Sequence, residues 1–179
     1  MKKFKEFLAE DQNITSAATS RPQIAQAYKT VDKLHGWQEG STHIDIGGGK
    51  HDMATDFLGE RKVNAHVYDP YNRSQEHNER ALQSAGSGKA DTASLFNVLN
   101  VIQDEEDHHN VLQQAHEALK PGGRVYVDVY EGDRSGTGRQ TGKDSWQRNQ
   151  KLKDYLQTVQ GTFPNAKLEK GIIHGTKES

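Results

Sequence analysis

The sequence predicts an α/β protein, a three-layer αβα sandwich around a mostly parallel sheet. Short apolar segments suited to strands alternate with helical patterns from Thr42 onward. A triple glycine, Gly47-Gly48-Gly49, separates the first strand from the helix after it. Such alternation implies parallel strands joined by right-handed crossovers, with helices on both faces. Ligands on such sheets bind beyond the carboxyl ends of the strands.

Residues 1–20 are polar and read as an N-terminal arm; residues 21–179 read as a single domain. Ser20 suits a helix N-cap, with Pro22 in the first turn. Ile24, Ala27, Tyr28, Val31 and Leu34 then recur at helical spacing, and Gly36 closes the helix. Thr42 to Ile46 is a strand. Met53, Ala54, Phe57 and Leu58 form one face of a helix that Gly59 stops. Val63 to Tyr68 is the second strand, ended by Asp69-Pro70. A polar helix from Ser74 to Ser84 and a turn at residues 85–88 lead into a third strand, Ala90 to Phe96.

Asp104 to Leu119 is the clearest helix. Acids fill its first turn, where they favour the helix dipole, and Val111, Leu112, Ala115, Ala118 and Leu119 share a face. Pro121-Gly122-Gly123 terminates it. Val125, Val127 and Val129 alternate with Tyr126, Asp128 and Tyr130 as a strand. A glycine-rich loop from Gly132 to Gly142, a helix marked by Leu152, Tyr155, Leu156 and Val159, and a last strand from Ala166 to His174 complete the chain.

Composition excludes several classes. The 179 residues are 32% hydrophobic, or about 42% with the 17 glycines counted, which is lean but globular. Disorder needs low hydrophobicity together with high net charge, and the net charge is only −2. That balance offers no global attraction to nucleic acid. No apolar run approaches the ~18 residues of a membrane span. The basic N-terminus lacks the apolar stretch of a secretory signal. With no cysteine, disulfide scaffolds and thiolate chemistry drop out, and a cytoplasmic location is expected. His108, His109 and His116 lack metal-ligand spacing and read as a solvated helix start, and no metal site is expected.

The residues Asp45-Ile46-Gly47-Gly48-Gly49-Lys50 leave a strand and enter a helix. That position demands backbone conformations open mainly to glycine and lets a ligand approach the main chain. Asp69 lies 24 residues beyond Asp45, at the end of the next strand. An acid there is placed to accept hydrogen bonds from both ribose hydroxyls. Together they point to a cofactor that contains a nucleoside. A dinucleotide loop would place glycine where Asp52 stands, and that acid would repel a pyrophosphate. No P-loop pattern occurs.

On these residues the chain resembles the class I S-adenosylmethionine-dependent methyltransferases, over about His43 to Tyr130. His43 to Gly49 resembles the family's first motif, His66-Val67-Tyr68-Asp69 its second, and Asp91 through Asn97 to Ile102 its fourth-strand motif. Ala118 to Val125 resembles the entry into the fifth strand. The resemblance implies a Rossmann-like fold, S-adenosylmethionine as cofactor, and methyl transfer. It implies that Asp45, Gly47, Gly48 and Gly49 hold the methionine moiety, that Asp69 binds the ribose, that Pro70 shapes the adenine edge, and that Asn97 lines the pocket. The family has a third strand and helix where only about 20 residues separate Asp69 from Ala90. The C-terminal part is also short for its last two strands. A truncated sheet is therefore expected.

Methyl transfer needs mainly proximity and orientation, and no catalytic residue announces itself. Asp69-Pro70-Tyr71 follows the wrong strand for a DNA amino-methyltransferase motif. Glu131, Arg134 and Trp146 lie on the substrate side, where Trp146 either stacks on a base or anchors the next helix. The methyl acceptor, nucleic acid or small molecule, stays open, as does the oligomeric state. A non-catalytic module with a degenerate methyltransferase fold is the alternative, and a nicotinamide oxidoreductase is disfavoured by the glycine pattern.

Overall fold

The computed structural model describes residues 22–143 and 145–179; the expected arm and Ser20 lie outside the described residues. Four parallel strands form the heart of the sheet: β1 (Thr42–Ile46), β2 (Asn64–Tyr68), β3 (Ala90–Phe96) and β4 (Leu119–Asp128). Two short strands, β7 (Lys167–Glu169) and β8 (Ile172–Thr176), continue it antiparallel to β4. The spatial order is β2-β1-β3-β4-β8-β7. β5 (Gly138–Gly142) and β6 (Ser145–Arg148) form a separate antiparallel hairpin.

Helices α1 (Gln26–Leu34), α2 (Met53–Gly59), α3 (Gln75–Ala85), α4 (Glu105–Ala118) and α5 (Leu156–Gln160) flank the sheet. Strand alternation divides the core between two layers. Ile44, Leu95, Leu112 and Val127 pack in one cluster; Tyr28, Val31, Trp37, Phe96 and Tyr126 pack in the other. β1 thereby sends Ile44 and Ile46 to one face and His43 and Asp45 to the other. No helix among the described residues is long and apolar enough to cross a membrane.

The expected punctuation is largely present. Gly36, at φ 72°, donates to the carbonyls of Val31 and Asp32 and ends α1. Ser74 caps α3 by accepting from His77 N, and Asp104 caps α4 by accepting from Glu106 N. α1 nonetheless begins at Gln26 rather than near Pro22, because Ala25 is extended (ψ 133°).

Three expectations need correction. The single last strand is a hairpin, turned at Lys170 and Gly171, both with positive φ as a tight two-residue turn requires. Half of the glycine-rich loop is strand β5. Pro121 to Gly123 lie inside the start of β4, where its register with β3 shifts between Ala90 and Thr92. Truncation of the sheet affects one edge only. β2 is the outer strand there, whereas both strands beyond β4 are present.

Candidate functional site

Parallel pairing brings the carboxyl ends of β1, β2, β3 and β4 to one edge. The glycine loop leaves β1, Asp69 follows β2, Asn97 follows β3, and Glu131 follows β4. Gly47 N donates to Tyr68 O at 2.8 Å, and Asn97 N donates to Asp128 O at 2.9 Å. Gly47 is left-handed, at φ 74°. A Cβ on it would approach Val98 Cγ2 to 2.7 Å, and one on Gly48 would strike the Asp45 carboxylate. The loop therefore lies flat on the strand ends because it carries no side chains.

Beneath the loop is a buried polar network. Ser94 donates its hydroxyl to Asp45 Oδ1 at 2.8 Å, and the Tyr28 hydroxyl lies 3.2 Å from Ser94 Oγ. His43 Nε2 lies 2.9 Å from Ser94 Oγ and its Nδ1 lies 2.8 Å from Thr92 Oγ1. Burial pushes Asp45 up to about 6, against the pull of the Tyr28 and Ser94 hydroxyls. Burial pulls His43 down to about 3, so its ring is neutral.

Asp69 is fully buried, with 0% exposure. Its Oδ2 accepts from Gly49 N and Asn72 Nδ2, each at 2.9 Å, and its Oδ1 accepts from Tyr71 N and Asn72 N. Asn78, buried on α3, brackets the Asp69 backbone by accepting from its N–H and donating to its carbonyl. Arg73 donates to Gly49 O at 2.7 Å and to His51 O at 3.1 Å, and pairs with Asp52. Asn78 and Arg73 escape sequence reading because α3 has only a weak apolar face and Arg73 lies in the polar turn before it. Pro70 and Asn97 are exposed, and Asn97 is left-handed at φ 60°.

Beyond β4 an open groove of about 580 Å³ is lined by Asp128, Tyr130, Glu131, Arg134, Lys151 and Leu168, among others. Glu131 accepts from Leu152 N at 2.8 Å and pairs with Arg134 at 2.6 Å. Trp146 is outside this lining. It packs over Gly138 within the hairpin, with the Arg148 guanidinium 5.4 Å from its ring centroid. Asp128 is a groove residue that the strand alternation hid; burial pushes it up to about 6, with Glu131 adding to the shift.

His108 is buried rather than solvated, its Nε2 facing the carbonyls of Leu99 and Ile102. Its spacing from Val111, Leu112 and Ala115 on one helix face is the signal that could have placed it. A second histidine cluster, His35, Glu169 and His174, has ligand atoms within 4.8 Å of one another. Arg124 donates to His35 Nε2 at 2.8 Å, and Lys167 pairs with Glu169. Two cations in contact with the cluster oppose a divalent ion there.

A parallel sheet with a glycine loop after its first strand and an acid after the next defines a protein of the nucleoside-cofactor-binding α/β class. The methyltransferase-domain family profile matches residues 19–169. The chain belongs to the class I S-adenosylmethionine-dependent methyltransferases. A search of curated protein sequences gives no match.

Solved structures share the fold. The 1,6-didemethyltoxoflavin-N1-methyltransferase of Burkholderia thailandensis, with bound 1,6-didemethyltoxoflavin and S-adenosylhomocysteine, aligns at TM-score 0.62 and 16% identity. The alignment covers 86% of this chain and 77% of that one. An S-adenosylmethionine-dependent methyltransferase from Methanosarcina mazei aligns at TM-score 0.62 and 13% identity, over 82% and 97% of the two chains. An O-methyltransferase family protein from Burkholderia thailandensis aligns at 0.57 and 14%, over 85% and 55%.

Proposed function

We propose that this methyltransferase modifies a small molecule held in the groove beyond β4, beside an S-adenosylmethionine site formed by Asp45, Gly47, Gly48, Gly49, Asp69, Pro70 and Asn97. When bound, that cofactor supplies an electrophilic methyl group on sulfur. The residues suit it. The flat glycine loop offers main chain to a methionine moiety, since a Cβ at Gly47 or Gly48 has no room. Asp69 supplies acceptor oxygens for a ribose, whose hydroxyls would replace the Asn72 amide on Oδ2.

The observation that carries the small-molecule reading is the groove itself. Its volume of about 580 Å³ falls within the roughly 300–1,000 Å³ typical of small-ligand sites. It opens on the same sheet edge as the glycine loop. Nucleic acid would need a continuous run of free basic groups. Arg134 and Arg148 are instead paired with Glu131 and Glu105. The Burkholderia thailandensis neighbour holds 1,6-didemethyltoxoflavin, a small molecule, on the same fold. Glu131 and Arg134 then shape the acceptor groove, while Trp146 supports the hairpin. We also place the protein in the cytoplasm, in keeping with its lack of cysteine.

Calorimetry with S-adenosylhomocysteine, followed by turnover of S-adenosylmethionine over small molecules and nucleic acids, tests this reading. Micromolar binding and turnover confined to small acceptors are expected. Absence of binding overturns the cofactor site, and turnover confined to nucleic acid overturns the acceptor class.

A further inference from the structure

We propose that Asp128 is the proton acceptor of the reaction, and that its groove takes a small anionic methyl acceptor whose negative group meets Lys151 and Lys153. This rests on the small-molecule reading of the groove.

Asp128 stands between the two halves of the site. It ends β4, and its backbone carbonyl takes the N–H of Asn97, which follows β3 on the cofactor side. Asp128 lines the groove. The other carboxylates along this edge are committed. Asp45 is bonded to Ser94 under the loop, Asp69 takes at least four donors, and Glu131 holds Leu152 N and Arg134. Asp128 accepts only from Val129 N, through Oδ1 at 2.9 Å. Oδ2 takes no hydrogen bond among the described residues, and no cation pairs with it. Burial pushes this carboxyl up to about 6, near the operating range of an effective general base.

The charges around it define the acceptor. Glu131 and Arg134, on the loop after β4, neutralise each other at 2.6 Å. Lys151 and Lys153, on the segment after β6, line the groove and form no ion pair within 4.0 Å among the described residues, although the Lys151 charge helps to lower the Glu131 carboxyl. The β7–β8 hairpin contributes Leu168 and Gly171, which carry no charge. A carboxyl with an unbonded oxygen, in a groove that two lysines also line, suits an acceptor bearing a carboxylate or phosphate and, elsewhere, an O–H or N–H. In the step, the acceptor's X–H bond breaks and its proton passes to Asp128 Oδ2. The freed pair forms X–CH₃ as the donor S–CH₃ bond breaks. That bond's electrons stay on sulfur, and the sulfonium leaves as a neutral thioether.

The test uses the full chain saturated with S-adenosylhomocysteine. Carbon-13 NMR of the aspartate carboxyls, with Asp128→Asn for assignment, is expected to give Asp128 a midpoint near 6; an ordinary carboxylate midpoint overturns the proposal. Binding of 4-hydroxybenzoate and of phenol is then compared. 4-Hydroxybenzoate is expected to bind at least tenfold more tightly than phenol, and to lose that advantage when Lys151 and Lys153 are both alanine. Equal binding of the two overturns the anionic acceptor. For a carboxylated acceptor that turns over, Asp128→Asn is expected to lower kcat at least 100-fold with little change in KM, and Asp128→Glu to recover part of it. Unchanged kcat in Asp128→Asn, with normal S-adenosylhomocysteine binding, overturns this proposal alone. Failure of wild-type protein to bind S-adenosylhomocysteine overturns the methyltransferase site as well.

Discussion

Gly49 donates its backbone N–H to Asp69 Oδ2 over 2.9 Å. One hydrogen bond thus ties the loop after β1 to the acid after β2, across neighbouring parallel strands. The loop is set by a buried carboxyl before any ligand arrives, which lowers the ordering cost of binding.

Asp69 and Asn72 can be separated by mutation. Asp69→Ala leaves the N–H groups of Gly49, Tyr71 and Asn72 without their acceptor, each at a cost of about 1–3 kcal/mol. A loss of at least ~3 kcal/mol in urea unfolding is expected. Asn72→Ala removes one of the donors on Asp69 Oδ2, leaving Gly49 N in place, and is expected to cost about 1 kcal/mol. It is expected to bind S-adenosylhomocysteine as tightly as wild type or more so. Weakening as large as that of Asp69→Ala would show that the Asn72 amide, not the Asp69 carboxyl, meets the cofactor.

Arg73, two residues before α3, reaches across and clamps the loop by two carbonyls. Its side chain is only 11% exposed, whereas its partner Asp52 is 65% exposed. The ion pair is therefore weak, and the hydrogen bonds to carbonyls dominate, at roughly 1.5–3 kcal/mol when the donor is charged. Arg73→Ala is expected to lose about 2–3 kcal/mol and at least tenfold in S-adenosylhomocysteine affinity. Asp52→Ala is expected to change either by little. Calorimetry and thermal melts on the two variants decide which contact matters.

The parts legible in the sequence are those whose residue types have one physical use. Three glycines between a strand and a helix, an acid ending the next strand, and Asp104 before three acids admit few other readings. Less legible parts depend on tertiary partners. Lys170-Gly171 makes a tight turn that Asn-Gly would have announced, since lysine adopts positive φ reluctantly. Asp128 looks like any polar residue of an alternating strand, and its isolation in the groove comes from segments that follow it by more than 20 residues. Sequence spacing cannot show that Asp69 is walled in by Asn72 and Asn78.

Two groups on one face of β1 titrate with opposite effects. Asp45 is raised from 3.8 to about 6, so the native state binds more protons than the unfolded chain between those values. Stability falls as pH rises through that window. His43 is lowered from 6.5 to about 3, so the unfolded chain binds more protons there, and stability falls as pH drops from 6.5 toward 3. The slopes oppose each other between about pH 4 and 6. Asp45→Asn keeps an oxygen for Ser94 but deletes one slope. Its melting temperature is expected to exceed wild type at pH 7, by on the order of 2 kcal/mol in stability, and to fall more steeply on acidification. Parallel profiles for the two proteins would show that Asp45 does not titrate in this window.

The hairpin separates a positioning contact from a packing one. Gln147 donates Nε2 to Tyr130 O at 2.9 Å and accepts from Asn100 Nδ2 at 3.1 Å. It therefore links β6 to the segment after β3 and to Tyr130, which lines the groove. Gln147→Ala strands a buried amide and frees the Tyr130 carbonyl. It is expected to cost about 2 kcal/mol and to raise the acceptor KM several-fold. Trp146 covers Gly138 on the outer hairpin and touches neither segment through an observed hydrogen bond. Trp146→Ala is expected to speed hydrogen exchange at residues 138–148 while leaving KM and S-adenosylhomocysteine affinity within twofold. A tenfold rise in KM with unchanged exchange would instead make Trp146 a direct contact of the acceptor.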